Sequence, residues 1–146
     1  MPPVLDPKLL TLESYPHQYQ QETQFGDMDI LGHINNVAIV KYYENARTRF
    51  LMECFENTNL FGRGGYSFVL VELTTKFLGE THFPAPLTIG TAIEKIGSSS
   101  MRTKQAVFQS GQCVGLCDTT LVLVEKAKPL ALPQSLRECV TQYRYA

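Results

Sequence analysis

One short segment concentrates the residues that could do chemistry: Phe25-Gly26-Asp27-Met28-Asp29-Ile30-Leu31-Gly32-His33-Ile34-Asn35-Asn36. It holds two acids, a histidine and two asparagines, and a helix-like apolar run from Val37 to Phe55 follows at once. Loops that feed a helix N-terminus suit catalysis. The first backbone N–H groups there have no intrahelical partner, and the macrodipole adds partial positive charge. An acid just upstream of such donors makes half of a hydrolytic site, because the donors can hold an oxyanion while the acid attacks or activates water. The same residue types also make turns and caps. Asp27 reads as a turn or capping residue, and Asn35 or Asn36 as an N-cap. Residue types alone leave both readings open, and the argument rests on the residues as a set.

The elements that must position this segment follow from periodicity. His17 to Phe25 alternates Tyr19, Thr23 and Phe25 with polar residues, as a half-buried strand does. Val37 to Phe55 carries apolar residues at helical spacing, and Ile39, Tyr42, Ala46, Met52 and Phe55 widen the stripe. A stripe this wide predicts burial on more than one side, as for a long helix wrapped by a curved sheet. Glu44 and Arg47, three apart, are expected to pair. Phe61-Gly62-Arg63-Gly64-Gly65 ends the helical region. Strands are then predicted over Tyr66–Leu78, Leu87–Ile96, Met101–Phe108 and Cys113–Val124, with a corner at Gly97-Ser98-Ser99-Ser100 and a hairpin turn at Ser110-Gly111. Four strands in succession read as an antiparallel meander. Residues 1–16 form a lead-in, and Pro133–Tyr143 a closing helix with Leu136 and Val140 inward. The class is α+β, in a single domain over residues 1–146.

Composition narrows the function. A net charge of −1 gives no reason to expect nucleic acid or an anionic membrane as a partner. Cys54, Cys113, Cys117 and Cys139 contain no C-x-x-C pair and no zinc-ligand spacing with His17, His33 or His82, so no metal site is expected. Such thiols fit a reducing compartment. Met1 to Leu5 offers no basic region followed by an apolar core, and no apolar run approaches membrane-spanning length, so the cytoplasm is the expected location.

The pattern D-x-D-x-x-G-H-x-N-N, followed by Tyr42-Tyr43-Glu44-Asn45-Ala46-Arg47, resembles the hotdog-fold acyl-CoA thioesterases of the 4-hydroxybenzoyl-CoA thioesterase type. The start Phe25-Gly26-Asp27-x-Asp29 is similar to the 4-hydroxybenzoyl enzymes. The continuation Gly32-His33-Ile34-Asn35-Asn36 looks more like long-chain acyl-CoA and plant acyl-carrier-protein thioesterases. The resemblance implies a hotdog fold, an antiparallel five-stranded sheet wrapped around a long central helix. It also implies Asp29 as the catalytic carboxylate, the backbone N–H of Asn36 as oxyanion donor, and His33 as a third member. The asparagine that plant-type enzymes place two residues after the acid is Leu31 here. Other hotdog thioesterases place a tyrosine and a histidine where this chain has Phe25 and Asn36. The basic run that grips CoA phosphates in the 4-hydroxybenzoyl enzyme corresponds here to neutral Gly97-Ser98-Ser99, before Ser100. Hydroxyls and backbone N–H groups in such a turn can still cradle a phosphate. Arg102 and Lys104 share one face of the next strand and can reach phosphate from there.

The expected activity is hydrolysis of acyl-CoA to free acid and CoA, without metal or organic cofactor. Acyl-carrier-protein thioesters are the variant substrate. A non-catalytic acyl-CoA-binding hotdog module is the rival reading, and a hotdog dehydratase or hydratase ranks last because its motif spacing is absent. The expected partners are the acyl-CoA substrate and further copies of the chain, in a homodimer or homotetramer, with no nucleic acid and no membrane.

Overall fold

The periodicities above translate into one long helix and a strongly curved sheet. The computed structural model describes residues 4–55 and 66–145. In chain order the elements are β1 (His17–Gln21), α1 (Asn36–Cys54), β2 (Tyr66–Phe77), β3 (Leu87–Ile96), β4 (Ser100–Gln109), β5 (Gln112–Glu125), a two-residue β6 (Lys128–Pro129) and α2 (Gln134–Thr141). The strands expected over residues 87–96 and 101–124 and the closing helix are found with ends shifted by two residues or fewer. The turn expected at residues 61–65 lies outside the described residues.

The sheet order is β1-β3-β4-β5-β2, antiparallel throughout, with β6 pairing β5. This corrects the meander of four strands. Only β3, β4 and β5 run as a meander, whereas β2 pairs with β5 and forms the outer strand beside it. The reason lies in the connection. Residues 78–86 are too many for a tight hairpin and contain Pro84 and Pro86, so the chain crosses one end of the sheet before β3 begins. β1 is also shorter than expected. The chain leaves the sheet after Gln21; Thr23 donates to the Ala85 carbonyl at 3.2 Å, and Phe25 stacks edge to face on Phe83 in an exposed turn.

α1 spans 19 residues, about 28 Å. It buries Ala38, Ile39, Tyr42, Tyr43, Ala46, Phe50 and Leu51 against the concave face of the sheet, where Leu87, Ile89, Ile93, Met101, Val107, Leu121 and Leu123 meet them. Two expectations on this helix need correction. Met52 is half-exposed rather than core. Arg47 does not pair with Glu44, because its side chain turns into the sheet and donates to Gln105 Oε1 at 3.2 Å while Glu44 faces solvent. Burial lowers the Arg47 pKa, and Gln105, which also donates to the Tyr43 carbonyl and to Thr91 Oγ1, supplies its polar partner.

The lead-in does more than approach the sheet. Two short 3-10 turns, Pro7–Leu10 and Leu12–Ser14, lay Leu5, Leu9, Leu12 and Tyr15 over Ala92, Ala106, Phe108 and Leu116 on the convex face. Tyr15 is buried, donates to the Leu9 carbonyl at 2.7 Å, and fits only because Gly90 has no side chain. A Cβ at Gly90 would stand 2.5 Å from Tyr15 Cβ and 2.8 Å from its Cγ. Neither atom is the free end of a flexible chain. Gly90→Ala is therefore expected to cost about 1–3 kcal/mol of stability as overpacking, read as a lowered urea midpoint with an unchanged slope.

Candidate active site

The segment 25–36 folds as a miniature hairpin laid against the start of α1. Met28 and Ile34 form an antiparallel bridge. Between them the Asp29 N–H donates to the His33 carbonyl at 3.0 Å, and the Gly32 N–H donates to the Asp29 carbonyl at 3.1 Å. Gly32 has φ +86°, a conformation that a side chain would strain. The D-x-x-x-H spacing thus puts Asp29 and His33 side by side at the two ends of one tight loop. Asp29 Oδ1 accepts from the Leu31 N–H at 2.9 Å, and Oδ2 has no partner among the described residues.

Three hydrogen bonds fix this loop to its surroundings. The Asn35 N–H donates to the Asp27 carbonyl at 2.8 Å, the Ile34 N–H donates to the Thr81 carbonyl at 2.7 Å, and Tyr42, one turn and a half into α1, donates to the Asp27 carboxylate. Lys41 Nζ stands 3.8 Å from the same carboxylate. Asp27 is therefore a tether between loop and helix, in keeping with its reading as a turn residue. Asn35 is the N-cap: its side chain accepts from the Val37 N–H at 2.7 Å, and its carbonyl accepts from Ile39 at 3.1 Å. Asn36 is the first helical residue, and among the described residues its N–H has no acceptor.

Asp29, His33 and Asn36 line a single cavity of about 370 Å³. Its mouth also carries Glu80 and Thr81, and its walls are Leu31, Ile34, Ile39, Phe77, Val107 and Val114. A carboxylate, an imidazole and an open helix N-terminus therefore meet at the top of an apolar slot. This arrangement can hold a carbonyl, attack it or deliver water to it, and bury an acyl group. Just beneath the wall, the Tyr43 hydroxyl is buried without a partner among the described residues, and burial pushes its pKa well up. Gly115 leaves room for that hydroxyl, since a Cβ there would come within 2.8 Å of it.

The remaining predicted site residues sit elsewhere. The Gly97–Ser100 corner begins β4, whereas the cavity residue Val107 lies near its other end, about 23 Å away along the strand. The corner's carbonyls are already engaged: Gly97 and Ser98 accept from Arg137, Ser98 from the Leu132 N–H and Ser99 from the Leu123 N–H. Arg102 faces Glu72 at 3.7 Å and Glu94 at 3.9 Å, and Lys104 faces Glu94 at 3.1 Å and Asp118 at 3.3 Å. Glu80, Thr81 and His82 were not singled out from the sequence. The signal available was an over-long, polar connection between two strands, with an acid and a histidine two apart. Among the described residues no group of three or more His, Cys, Asp and Glu side chains is arranged to hold a metal ion, and no helix is long and apolar enough to cross a membrane.

The curled antiparallel sheet around a long helix is a hotdog fold, and comparison with known proteins agrees. Residues 23–140 match the family model described as the thioesterase-like superfamily, and the chain belongs to that superfamily. A crystal structure of a Pseudomonas aeruginosa protein superposes with a TM-score of 0.85 at 26% identity, covering 94% of this chain and 96% of that one. A thioesterase from Thermus thermophilus, solved with coenzyme A and zinc, gives a TM-score of 0.79 at 26% identity over 90% and 96% of the two chains. The 1,4-dihydroxy-2-naphthoyl-CoA thioesterase of Synechocystis shares the fold, with a TM-score of 0.77 at 18% identity over 86% and 95%. No curated protein sequence matches the chain.

The tether makes a measurable claim about stability. Tyr42 is pushed up to about 12 from 10.0, first by burial and then by the bond to Asp27. A phenol whose folded pKa is raised contributes stability that is complete below its ordinary pKa and is lost as pH climbs from about 10 through about 12. Asp27→Asn is expected to cost about 1.5–3 kcal/mol at neutral pH and to lower the Tyr42 step in a tyrosinate absorbance titration. Thioester turnover by that variant should stay within about tenfold of wild type, as the tether carries no chemistry.

Proposed function

We propose that this protein hydrolyses acyl-CoA thioesters, in the manner of the 4-hydroxybenzoyl-CoA thioesterase type. The observation that carries this is the meeting of the Asp29 carboxylate and the open Asn36 N–H on one cavity with apolar walls. Membership of the thioesterase-like superfamily supports thioester hydrolysis in general. The coenzyme A bound by the Thermus relative supports CoA as the carrier.

The thioester carbonyl sits with its oxygen at the Asn36 N–H. The positive end of α1 stabilises the negative charge that develops there, an interaction worth about 3–4 kcal/mol for one good donor. Asp29 either attacks the carbonyl carbon, giving an anhydride that water then opens, or takes a proton from water that attacks directly. In both routes the C–S bond breaks as the tetrahedral adduct collapses, and the sulfur leaves as a thiolate that takes up the released proton. His33 orients the carboxylate or the water. The acyl group lies in the slot between Ile39, Phe77, Val107 and Val114. This chemistry needs no metal and no organic cofactor.

The nucleotide end of CoA is assigned to Gly97, Ser98, Ser99, Ser100 and Arg102. Ser98 and Ser99 keep backbone N–H groups without acceptors among the described residues, whereas the charge of Arg102 is already matched by Glu72 and Glu94. Homo-oligomerisation is assigned to β2. Among the described residues this 12-residue strand pairs on one side only, with β5, and it exposes Val69, Leu70 and Val71.

Two measurements test this reading. Release of free thiol from a panel of acyl-CoAs should be abolished by Asp29→Asn and slowed about 10²–10⁴-fold by His33→Ala, with Asn36→Ala milder because the donor is its backbone. A wild-type rate in Asp29→Asn refutes the assignment. Since hydrogen bonds and not unmatched charges hold the nucleotide, KM should rise only modestly between low and physiological salt. Arg102→Ala should raise KM by less than about tenfold. A steep salt dependence would move the nucleotide onto the charged face of β4.

A further inference from the structure

We infer that Glu80, from the crossover between β2 and β3, is a positioning residue for the hydrolytic centre, acting through His33. The inference rests on the thioesterase reading above and extends it to a segment distant in sequence from the motif. Glu80 lines the same cavity as Asp29 and His33. Its two carboxylate oxygens are divided between two imidazoles, with Oε1 3.8 Å from His33 Nε2 and Oε2 3.5 Å from His82 Nε2. The two rings meet edge to face with centroids 6.1 Å apart.

The His82 side of this arrangement is anchored to the frame. His82 Nδ1 stands 3.3 Å from the Gly32 carbonyl. Its backbone N–H donates to Gln109 Oε1 at 2.9 Å, and its carbonyl accepts from Gln109 Nε2 at 2.7 Å. Gln109 is itself buried at the end of β4. The residue between Glu80 and His82 is also fixed, since the Thr81 carbonyl accepts the Ile34 N–H. The Glu80 carboxylate is thus held near His33 by a chain of contacts that ends in the sheet.

The consequence falls on the His33 ring. In a neutral imidazole one nitrogen carries the proton and the other accepts, and the partner of the first decides which is which. A carboxylate 3.8 Å from Nε2 is beyond hydrogen-bond distance, but its negative charge favours the tautomer with the proton on Nε2 and Nδ1 as the acceptor. Water that attacks the thioester, or opens an anhydride, has two O–H bonds. Asp29 takes the proton of one, and His33 Nδ1 accepts a hydrogen bond from the other. The orienting acid, the imidazole and the reacting water then stand in the order familiar from hydrolytic triads. Without Glu80 the ring is free to rotate and to exchange tautomers, so catalysis suffers while substrate binding does not.

Steady-state kinetics and imidazole ¹⁵N spectra of the full chain test this together. The carboxylate side chain of Glu80 is 66% exposed, so the isosteric Glu80→Gln leaves the core intact. That variant is expected to lose at least about fivefold in kcat with KM within about twofold of wild type, and Glu80→Asp, which keeps the charge, to recover part of the loss. In a His33→Ala background Glu80→Gln should cost nothing further, because its effect runs through the ring. The His33 ¹⁵N signals should report Nε2–H in wild type and a mixed tautomer in Glu80→Gln. A kcat loss below about fivefold, or the same loss with and without His33, overturns the inference. If wild type hydrolyses no acyl-CoA, the thioesterase reading is what fails. The spectra then decide on Glu80 alone, and unchanged His33 signals in Glu80→Gln overturn its role.

Discussion

Backbone N–H groups at the start of an α-helix have no carbonyl to reach, and the way this chain deals with those of α1 governs everything around them. Asn35 turns its side chain back to satisfy Val37, and its own N–H is taken by the Asp27 carbonyl. Asn36 is left open, facing a cavity with apolar walls. Asn36 is exposed, so water can meet this donor until a ligand oxygen takes its place. The tight loop 29–33, the tether through Tyr42 and the bridge from Ile34 to Thr81 all hold a carboxylate close to that open donor. The curved sheet packs along α1, so the donor sits on a helix braced over its length.

Much of this was visible in the residues before any coordinates. The helix was legible because its apolar residues recur at helical spacing, and β3, β4 and β5 because alternation is clean and their turns carry glycine and serine. The hairpin of residues 28–34 was legible only as a set of polar residues, since spacing alone does not say that Asp29 and His33 face one another. What stayed hidden depends on contacts between distant segments. β1 stops early because Thr23 and Phe25 are drawn to Ala85 and Phe83, some sixty residues away. Arg47 looked like the partner of Glu44 because local spacing allows it. The buried amide of Gln105 draws it inward instead, and no local pattern announces that amide as its partner.

The order of strands shows the same limit. Alternation identifies a strand but not its neighbour, and β2 lies next to β5 rather than β3 because of where the chain crosses the end of the sheet. That crossing carries Glu80 and Thr81 to the mouth of the cavity, with His82 beside Glu80. The polar residues that complete the site thus belong to the connection with the least periodic sequence, while those that begin it belong to a recognisable motif.

Gln109 reaches across from the end of β4 and bonds both sides of the His82 peptide and the Ala85 carbonyl, so it fastens a stretch that lies outside the sheet ladders. The rim of the slot is therefore fastened from two directions, by the sheet through Gln109 and by the Asp29 loop through Ile34. The Asp29 carboxylate and the Asn36 N–H stand at the start of α1, whereas the outer rim is held by Gln109, by the Leu78 and Gly79 N–H groups on the Val114 carbonyl, and by the Ile34 N–H on the Thr81 carbonyl. A change in the length or direction of that rim would reshape the cavity and, through the Thr81 carbonyl, shift the loop that carries Asp29. The shape of the slot and the placement of the carboxylate are in that way coupled.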